Sequence, residues 1–260
     1  MSRSGDAIPP DDRGLLLGDG LFETILAEAG RLDHFEAHIV RMTRGCKVIG
    51  LAPPSVEAAR QAAMGALEAA GLAGARAAVR LTLTAGSGRG PERPEGATPR
   101  MFASASPAPA PKGPVSLVTV AIRRNESSPT SRLKSLAYLD NVLARREARL
   151  AGADEALMLN SLGELACAAV ANLFWISGDR LYTPALECGV LDGIMRGRVL
   201  RAAADLGVEA LQVRAQPKAL EAAEGAFLSN SLIGLGQVLK IDGKVLPDHP
   251  MVGALSSRCR

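Results

Sequence analysis

Lys134 is the residue whose place in the sequence points most directly to covalent chemistry. An apolar-patterned segment, Ser135–Ala144, follows it, which predicts that the lysine lies where a strand-loop-helix connection leads into a helix. Burial there would disfavour the charged ammonium and lower the pKa of the amine, so that it could act as a Schiff-base nucleophile. The alternative is a solvated surface lysine without a chemical role.

Two glycine-containing segments bear on phosphate binding. Gly193–Arg196 opens a predicted helix after a turn, and the unpaired N–H groups of a helix N-terminus can bind phosphate, although most such termini bind nothing. The basic loop Gly86–Gly90 has no following Lys-Ser/Thr pair and does not open a helix, so it is not a P-loop.

The histidines and cysteines do not form a metal-binding pattern. His34 and His38 are four residues apart on a predicted helix, but no cysteine or acidic partner follows at a recognisable distance. We therefore expect no metal. The four cysteines show no CxxC spacing and are too few for a disulfide framework in 260 residues, which indicates a reducing cytoplasm.

The composition is that of an ordinary globular protein: 47% of the residues are hydrophobic and 22% are charged. Thirty basic and 27 acidic residues give a net charge of +3, which is too small to indicate nucleic acid or an anionic membrane as a partner. No apolar run approaches the ~20 residues that span a bilayer. The N-terminal segment has no apolar core of a signal peptide, so we expect an untargeted, cytoplasmic protein.

Hydrophobic periodicity predicts an α+β protein with largely antiparallel sheets in two domains. The proline-rich run Pro107–Pro111 indicates a linker, which divides the chain into domain 1–106, linker 107–114 and domain 115–260. The predicted elements of the first domain are strand Leu21–Ala27, helix His34–Ile49, a helix from Ser55 to near Gly71, and strands Ala78–Thr84 and Met101–Ala105. Those of the second are strand Val115–Ile122, helix Leu136–Leu150, strands Ala156–Asn160 and Leu173–Ser177, helix Gly193–Leu206, and strands Glu209–Val213, Ala226–Ser229 and Gln237–Ile241.

Six blocks, in order from about Gly14 to Val238, resemble the class IV (fold-type IV) aminotransferase family, whose members use pyridoxal 5′-phosphate (PLP). The blocks are Gly14–Ile25, His38–Arg41, Lys134–Ala144, Asn172–Trp175, Leu181–Pro184 with Gly189–Arg196, and Phe227–Leu232. The resemblance implies a two-domain fold with PLP in the cleft between the domains and the PLP lysine on the larger, C-terminal one. It also implies a homodimer, because family members complete the site with a loop of the partner chain.

The resemblance also assigns cofactor-binding roles to single residues. Lys134 would carry PLP covalently and then move the proton of the substrate Cα. Arg41 would pair with the cofactor phosphate. The backbone N–H groups of Ile194 and Met195 would complete the phosphate site, and Ser231 would donate its hydroxyl.

Three further residues carry less specific expectations. Tyr138 would lie near the phenolic oxygen of the cofactor, or it is a core aromatic on a helix face. Glu23 belongs to the Phe22–Thr24 strand that borders the substrate in the family. Arg89 would bind a substrate carboxylate, or it is an exposed loop arginine.

One position departs from the family pattern. Five residues before Asn172, where most relatives have a glutamate that holds a proton on the pyridine nitrogen, this chain has Cys167. A neutral thiol supports an electron sink much less than a carboxylate does. The alternatives are that Glu164 reaches the same place through a local shift, or that the chain has lost activity.

This departure bears on the reaction. In an elimination, the electrons of the carbanion are used at once to expel the leaving group. Such a reaction tolerates a weak electron sink better than reversible transamination does. Gly86–Gly90 also resembles a loop of the 4-amino-4-deoxychorismate lyases, shortened by one residue, so a lyase that releases pyruvate and 4-aminobenzoate is favoured. The alternative is an aminotransferase of D-amino or branched-chain amino acids, and the distant alternative is a non-catalytic small-molecule binding protein.

Overall fold

The computed structural model describes residues 8–110 and 113–259. They form two compact units, of which the first runs to Pro109 and also includes Lys134–Tyr138. The second unit begins at Ala110, is interrupted after Leu133 and resumes at Leu139. The division falls inside the predicted linker 107–114. The expected placement of Lys134 on the C-terminal domain differs from the structure, in which the contacts of Lys134 group it with the first unit.

The first unit is a four-stranded antiparallel sheet with helices packed on it. Its elements are α1 (Arg13–Leu17), β1 (Gly20–Glu28), β2 (Arg31–Leu32), α2 (Phe35–Ile49), α3 (Val56–Ala69), β3 (Ala77–Thr84) and β4 (Arg100–Pro107). The strand order is β2-β1-β3-β4, and every pair is antiparallel. The hydroxyl of Ser55 accepts the Ala58 N–H, which confirms Ser55 as the N-cap of α3.

Strand β3 alternates apolar and polar residues but is buried on both faces at its C-terminal end. Thr82 and Thr84, which alternate with Leu81 and Leu83, are both buried. The Thr84 hydroxyl donates to the buried carboxylate of Asp12 at 2.9 Å, so its polar group is satisfied without water.

The Lys134 segment extends along β1 as a short antiparallel partner. The Phe22 N–H donates to the Lys134 carbonyl at 2.9 Å, and the Leu136 N–H donates to the Gly20 carbonyl at 3.0 Å. An extended backbone cannot also form the first turn of a helix, so the helix begins at Leu139 and its predicted start at Leu136 is wrong.

The second unit is built on a nine-stranded mixed sheet. Its elements are β5 (Val115–Arg124), α4 (Leu139–Leu150), β6 (Glu155–Asn160), β7 (Leu165–Ala168), β8 (Asn172–Ser177), β9 (Arg180–Pro184), α5 (Ile194–Asp205), β10 (Ala210–Val213), β11 (Gly225–Asn230), β12 (Gly234–Ile241), β13 (Lys244–Val245) and α6 (Pro250–Arg258). The order is β10-β9-β8-β11-β12-β5-β6-β7, with β13 on β12. Only β10/β9, β12/β5 and β5/β6 are parallel, which confirms the α+β class with largely antiparallel sheets.

Strands β8 and β11 form the middle of this sheet and have apolar side chains on both faces. Phe174 and Phe227 stack at 4.9 Å between ring centroids on the face that carries α5, where they pack with Met195. Leu173 and Leu228 point to the opposite core. In the part of the chain that the structure describes, no helix has the length and apolar character needed to cross a membrane.

Replacement of Gly20 should test how closely β1 approaches its neighbours. A Cβ at Gly20 would lie 2.4 Å from the Leu83 carbonyl oxygen and 2.7 Å from Leu136 Cδ1. Because the Leu83 backbone cannot move aside, Gly20→Ala should lower the free energy of unfolding by about 1–3 kcal/mol in chemical denaturation. In the control Gly65→Ala, on α3, the new methyl group meets nothing within 4 Å, so stability should rise by about 0.5–1 kcal/mol. Equal effects of the two substitutions would contradict the close approach.

Candidate active site

Lys134 lies over two aromatic rings in the first unit. Its Nζ is 4.4 Å from the centroid of the Phe22 ring and 5.8 Å from that of Tyr138. The two rings meet edge to face, with centroids 5.2 Å apart. The structure therefore brings Tyr138 to Lys134, before the start of α4 and not on its helical face.

The surroundings of Lys134 make its amine a weaker base than that of an ordinary lysine. Burial, together with the nearby guanidinium groups of Arg41 and Arg80, lowers the pKa of Lys134 to about 8, although Glu23 acts in the opposite direction. The usual lysine pKa is about 10.4. A substantial fraction of the amine is thus neutral at mildly basic pH, and the neutral form is the one that attacks a carbonyl carbon.

Glu23 is at the centre of a buried charged group. Arg41 donates to it twice, from Nε to Oε1 at 2.8 Å and from Nη2 to Oε2 at 2.5 Å. His38 Nδ1 is 2.7 Å from the same Oε2, and Glu23 and His38 are 1% and 0% exposed. Burial alone would raise the pKa of Glu23, but the Arg41 charge and the hydrogen bonds from Arg41 and His38 lower it to about 2.

These contacts determine how two predicted site residues, Glu23 and Arg41, are ionised and oriented. An ionised carboxylate only accepts hydrogen bonds, so His38 Nδ1 carries the proton that it donates to Glu23. Both oxygens of Glu23 are used within the protein, and its contact with substrate stays a prediction. One edge of the Arg41 guanidinium is held by Glu23, which fixes the orientation of the residue expected to contact the cofactor phosphate.

Arg80 acts on the charge of Lys134, and the sequence analysis did not single it out. Its guanidinium lies 3.7 Å from the centroid of the Phe22 ring, and no carboxylate pairs with it among residues 8–110 and 113–259. The alternation of side chains along β3 places Arg80 on its polar face, and this was the sequence feature that could have identified it. The partner ring on β1 could not be identified before the register of the two strands was known.

Arg89 lies on a loop whose backbone is held by hydrogen bonds from a buried arginine. The buried Arg13 donates to three loop carbonyls, those of Gly90 at 2.7 Å, Glu92 at 2.9 Å and Pro91 at 3.0 Å. Arg89 itself is exposed and makes no ion pair within the described ranges. Among the described residues, Arg89 has no recorded contact with Lys134 or with the side chains around it. Its role in binding a substrate carboxylate stays a prediction.

In the second unit, Cys167 is a buried, neutral thiol. It lies on β7 opposite Met158 of β6. Burial raises the pKa of the Cys167 thiol; Arg124 opposes this effect and Glu155 adds to it. The thiol therefore carries a proton at neutral pH and supplies no counter-charge.

Glu164, the alternative to Cys167, is held by other partners. Arg214 Nε donates to its two oxygens at 3.0 and 3.2 Å, and the Asn160 side chain donates to it at 2.7 Å. The bonds from Arg214 and Asn160 lower the pKa of Glu164. Because the carboxylate is ionised and paired in the β6–β7 turn, a local shift that releases it would leave Arg214 without this partner.

The N-terminus of α5 has the properties of an anion site. No side chain caps it, so the first N–H groups, including those of Ile194 and Met195, remain available to a ligand. The N-cap is Gly193, where a Cβ would lie 2.1 Å from Asn172 Oδ1. Asn172 in turn donates to the Leu191 carbonyl at 2.9 Å, which holds the preceding turn against β8.

A buried hydroxyl lies on the same face of the sheet. Ser229, directly opposite Asn172, is 0% exposed, and its Oγ has no hydrogen-bond partner among the described residues. Two residues on, Ser231 is in a turn closed by Asn230, whose Oδ1 accepts the N–H groups of Leu232 and Ile233 at 2.9 Å each. Uncapped N–H groups and hydroxyls are the donors that a phosphate requires, so these residues fit the phosphate of PLP. No cluster of metal-ligating side chains occurs in the ranges that the structure describes.

Comparison with known proteins identifies the family. The model of the amino-transferase class IV family matches residues 20–241. Aminodeoxychorismate lyase of Bacillus subtilis is 29% identical over 246 residues, which cover 93% of this chain and 84% of the lyase. A Methanocaldococcus jannaschii protein, named provisionally as a branched-chain-amino-acid aminotransferase, is 30% identical over 256 residues, covering 96% and 87%.

A solved structure shows the same fold. The branched-chain aminotransferase of Thermoproteus uzoniensis, crystallised with norvaline, matches this structure with a TM-score of 0.91 at 28% identity, covering 100% of this chain and 90% of that one. This likeness confirms the fold-type IV prediction. The chain belongs to the class IV aminotransferase family of PLP-dependent enzymes.

Proposed function

We propose that this protein is a lyase that eliminates pyruvate from 4-amino-4-deoxychorismate and releases 4-aminobenzoate, a precursor for folate, in the cytoplasm. The observation that carries the proposal is the neutral thiol of Cys167 at the place where the family resemblance implies a glutamate. Glu164 does not compensate for it, because Arg214 and Asn160 hold that carboxylate. Relatives named as lyases and as aminotransferases have similar identity, so overall similarity does not favour either reaction.

In this proposal, PLP is bound by the residues that the family resemblance assigns to it. PLP, when bound, supplies a sink for the electrons released when a bond to the substrate Cα breaks. Lys134 would hold it covalently and move the Cα proton, for which an amine with a pKa of about 8 suits either direction of transfer. The N–H groups of Ile194 and Met195, the Ser231 hydroxyl and the Arg41 guanidinium would bind its phosphate.

The substrate chemistry agrees with the charges near Lys134. Aminodeoxychorismate carries two carboxylates, and Arg80 is a guanidinium without an acidic partner among the described residues. Loss of pyruvate leaves an aromatic ring, so the elimination is driven forward and does not depend on a long-lived carbanion. A neutral thiol is sufficient for such a step, whereas a reversible amino transfer gains more from a carboxylate.

The second candidate is an aminotransferase of D-amino or branched-chain amino acids. The relative of M. jannaschii and the solved structure from T. uzoniensis favour it by their names. The strand that contains Phe22 and Thr24 is also compatible with either reaction. A non-catalytic binding protein is the least favoured candidate, because Lys134 and Arg41 are both present.

Covalent attachment of PLP should require Lys134. Borohydride reduction of the PLP-loaded protein should leave the cofactor mass on the peptide that contains Lys134, as measured by mass spectrometry. Lys134→Ala should lose this attachment completely, whereas Lys47→Ala, an exposed lysine on α2, should retain it. Attachment to Lys134→Ala would refute the assignment, and no attachment to the wild type would favour the binding protein.

A paired assay should separate the two reactions. One measurement follows pyruvate and 4-aminobenzoate from aminodeoxychorismate, and the other follows conversion of the cofactor to its amino form by D- and L-amino acids. We expect coupled release of both products with little conversion. Cys167→Glu should increase the conversion rate by about tenfold, because a carboxylate supports the electron sink better than a thiol does, and Arg124 offsets part of the effect of burial and of Glu155 on its ionisation.

Cys167→Ser is the matched control, since it keeps a neutral group and should retain the lyase preference. Rapid conversion by the wild type, reversed by a keto acid, would make the protein an aminotransferase. No gain in Cys167→Glu, with cofactor attachment intact, would show that the electron-sink argument is wrong.

We also propose that the protein is a homodimer whose interface includes one face of α4. Four apolar residues recur on this helix at helical spacing and are exposed: Leu139, Val142, Leu143 and Leu150. A contiguous apolar face on a surface helix commonly marks a protein–protein contact. The opposite face, with Ala144 and Ala148, is buried within the second unit.

Val142→Asp should therefore weaken the dimer, because a carboxylate would be buried without a partner. Light scattering should give twice the 27.0 kDa chain mass for the wild type and a shift to one chain mass for the variant. Val245→Asp on β13 replaces an even more exposed valine away from α4 and should leave the mass unchanged. A monomeric wild type would refute the dimer.

A further inference from the structure

The proposed function gives no role to the Glu23 carboxylate, although it is a buried charge that acts on the Lys134 amine. Burial of a carboxylate is unfavourable unless partners compensate for it. Here the compensation comes from Arg41 and His38, which lie three residues apart and therefore on one face of α2. Glu23 follows Phe22 on β1, and its side chain points to the face of the strand that meets α2, whereas the Phe22 ring lies under the Lys134 amine.

We propose that Glu23 is a positioning residue that holds the Arg41 guanidinium beside Lys134 and offsets its charge, so that the lysine remains basic enough to accept a proton. The inference rests on the proposed function only for the use of that proton. The geometry is independent of it: two hydrogen bonds fix one edge of the guanidinium, and the His38 hydrogen bond fixes the carboxylate.

The fixed pair has two effects. Arginine donates through a rigid planar fork, so two bonds to one carboxylate set its orientation as well as its distance. The negative charge is also permanent, because the pKa of Glu23 is held at about 2 and the group stays ionised at every pH at which Lys134 titrates.

Three charged groups and two aromatic rings surround the Lys134 amine. Arg41 from α2 and Arg80 from β3 disfavour its protonation, Glu23 from β1 favours it, and the rings are those of Phe22 and Tyr138. Without Glu23, two cations would act on the amine with no anion among these groups to offset them. The lysine would then lose its proton more readily and would be a poorer acceptor of the substrate proton.

The test is made on the apoprotein, without PLP or substrate. Competitive labelling of the Lys134 amine with acetic anhydride at a series of pH values, read by mass spectrometry, gives its pKa. The wild-type value should lie near 8. Glu23→Gln should lower it by about one pH unit, because the offsetting charge is removed. The double variant Glu23→Gln/Arg41→Gln should return the pKa toward the wild type, since the cation is then removed too.

Two controls separate this role from a structural one. Glu23→Asp keeps the charge and should keep the pKa of Lys134 near the wild-type value. Glu28→Gln removes an exposed carboxylate at the other end of β1 and should have no effect. An unchanged or raised pKa in Glu23→Gln, with circular dichroism showing a retained fold, would overturn the proposal, as would a double variant that resembles Glu23→Gln. The result does not depend on which reaction the enzyme catalyses, because no turnover is measured.

Discussion

The site in the first unit depends on a pair of backbone hydrogen bonds between β1 and the Lys134 segment. These bonds join Phe22 to Lys134 and Gly20 to Leu136, and they hold residues 134–136 extended where the local sequence favours a helix. The lysine side chain is thereby directed over the Phe22 ring instead of into solvent. Delay of the helix start to Leu139 also separates Tyr138 from α4, so that its ring can meet Phe22 edge to face.

Once the lysine is fixed there, its chemistry follows from the surrounding charges. Three cationic side chains, those of Lys134, Arg41 and Arg80, act on the same region, and Glu23 is the carboxylate that acts on it. An excess of positive charge lowers the affinity of the amine for a proton and raises the affinity of the region for anions. Both consequences suit the proposed roles, in which Lys134 would hold PLP covalently and the region would receive a carboxylate-bearing substrate.

The sequence predicted the parts of this arrangement that are encoded locally. Helix α2 and strands β1 and β3 follow from periodicity, and the family motifs identify Lys134. The Glu23–Arg41–His38 group was not predictable, because the pairing of residues 15 and 18 positions apart depends on how α2 packs on β1. Four-residue β7 is too short to show a period, although it carries Cys167.

The proposed choice between elimination and amino transfer rests on two residues of the β6–β7 hairpin, either of which could supply a negative charge to the cofactor nitrogen. Glu164 and Cys167 are three residues apart on β6–β7, and only the thiol lies within the strand itself. Release of Glu164 toward a ligand would break its hydrogen bonds with Asn160 and with the half-exposed Arg214. Ionisation of Cys167 would instead require a charge in a buried, apolar cluster with Ala166 and Val190. Because both routes to a negative charge are unfavourable, Cys167 would present a neutral group to the cofactor in the proposed site, and this is why we propose an elimination, which needs only a brief electron sink.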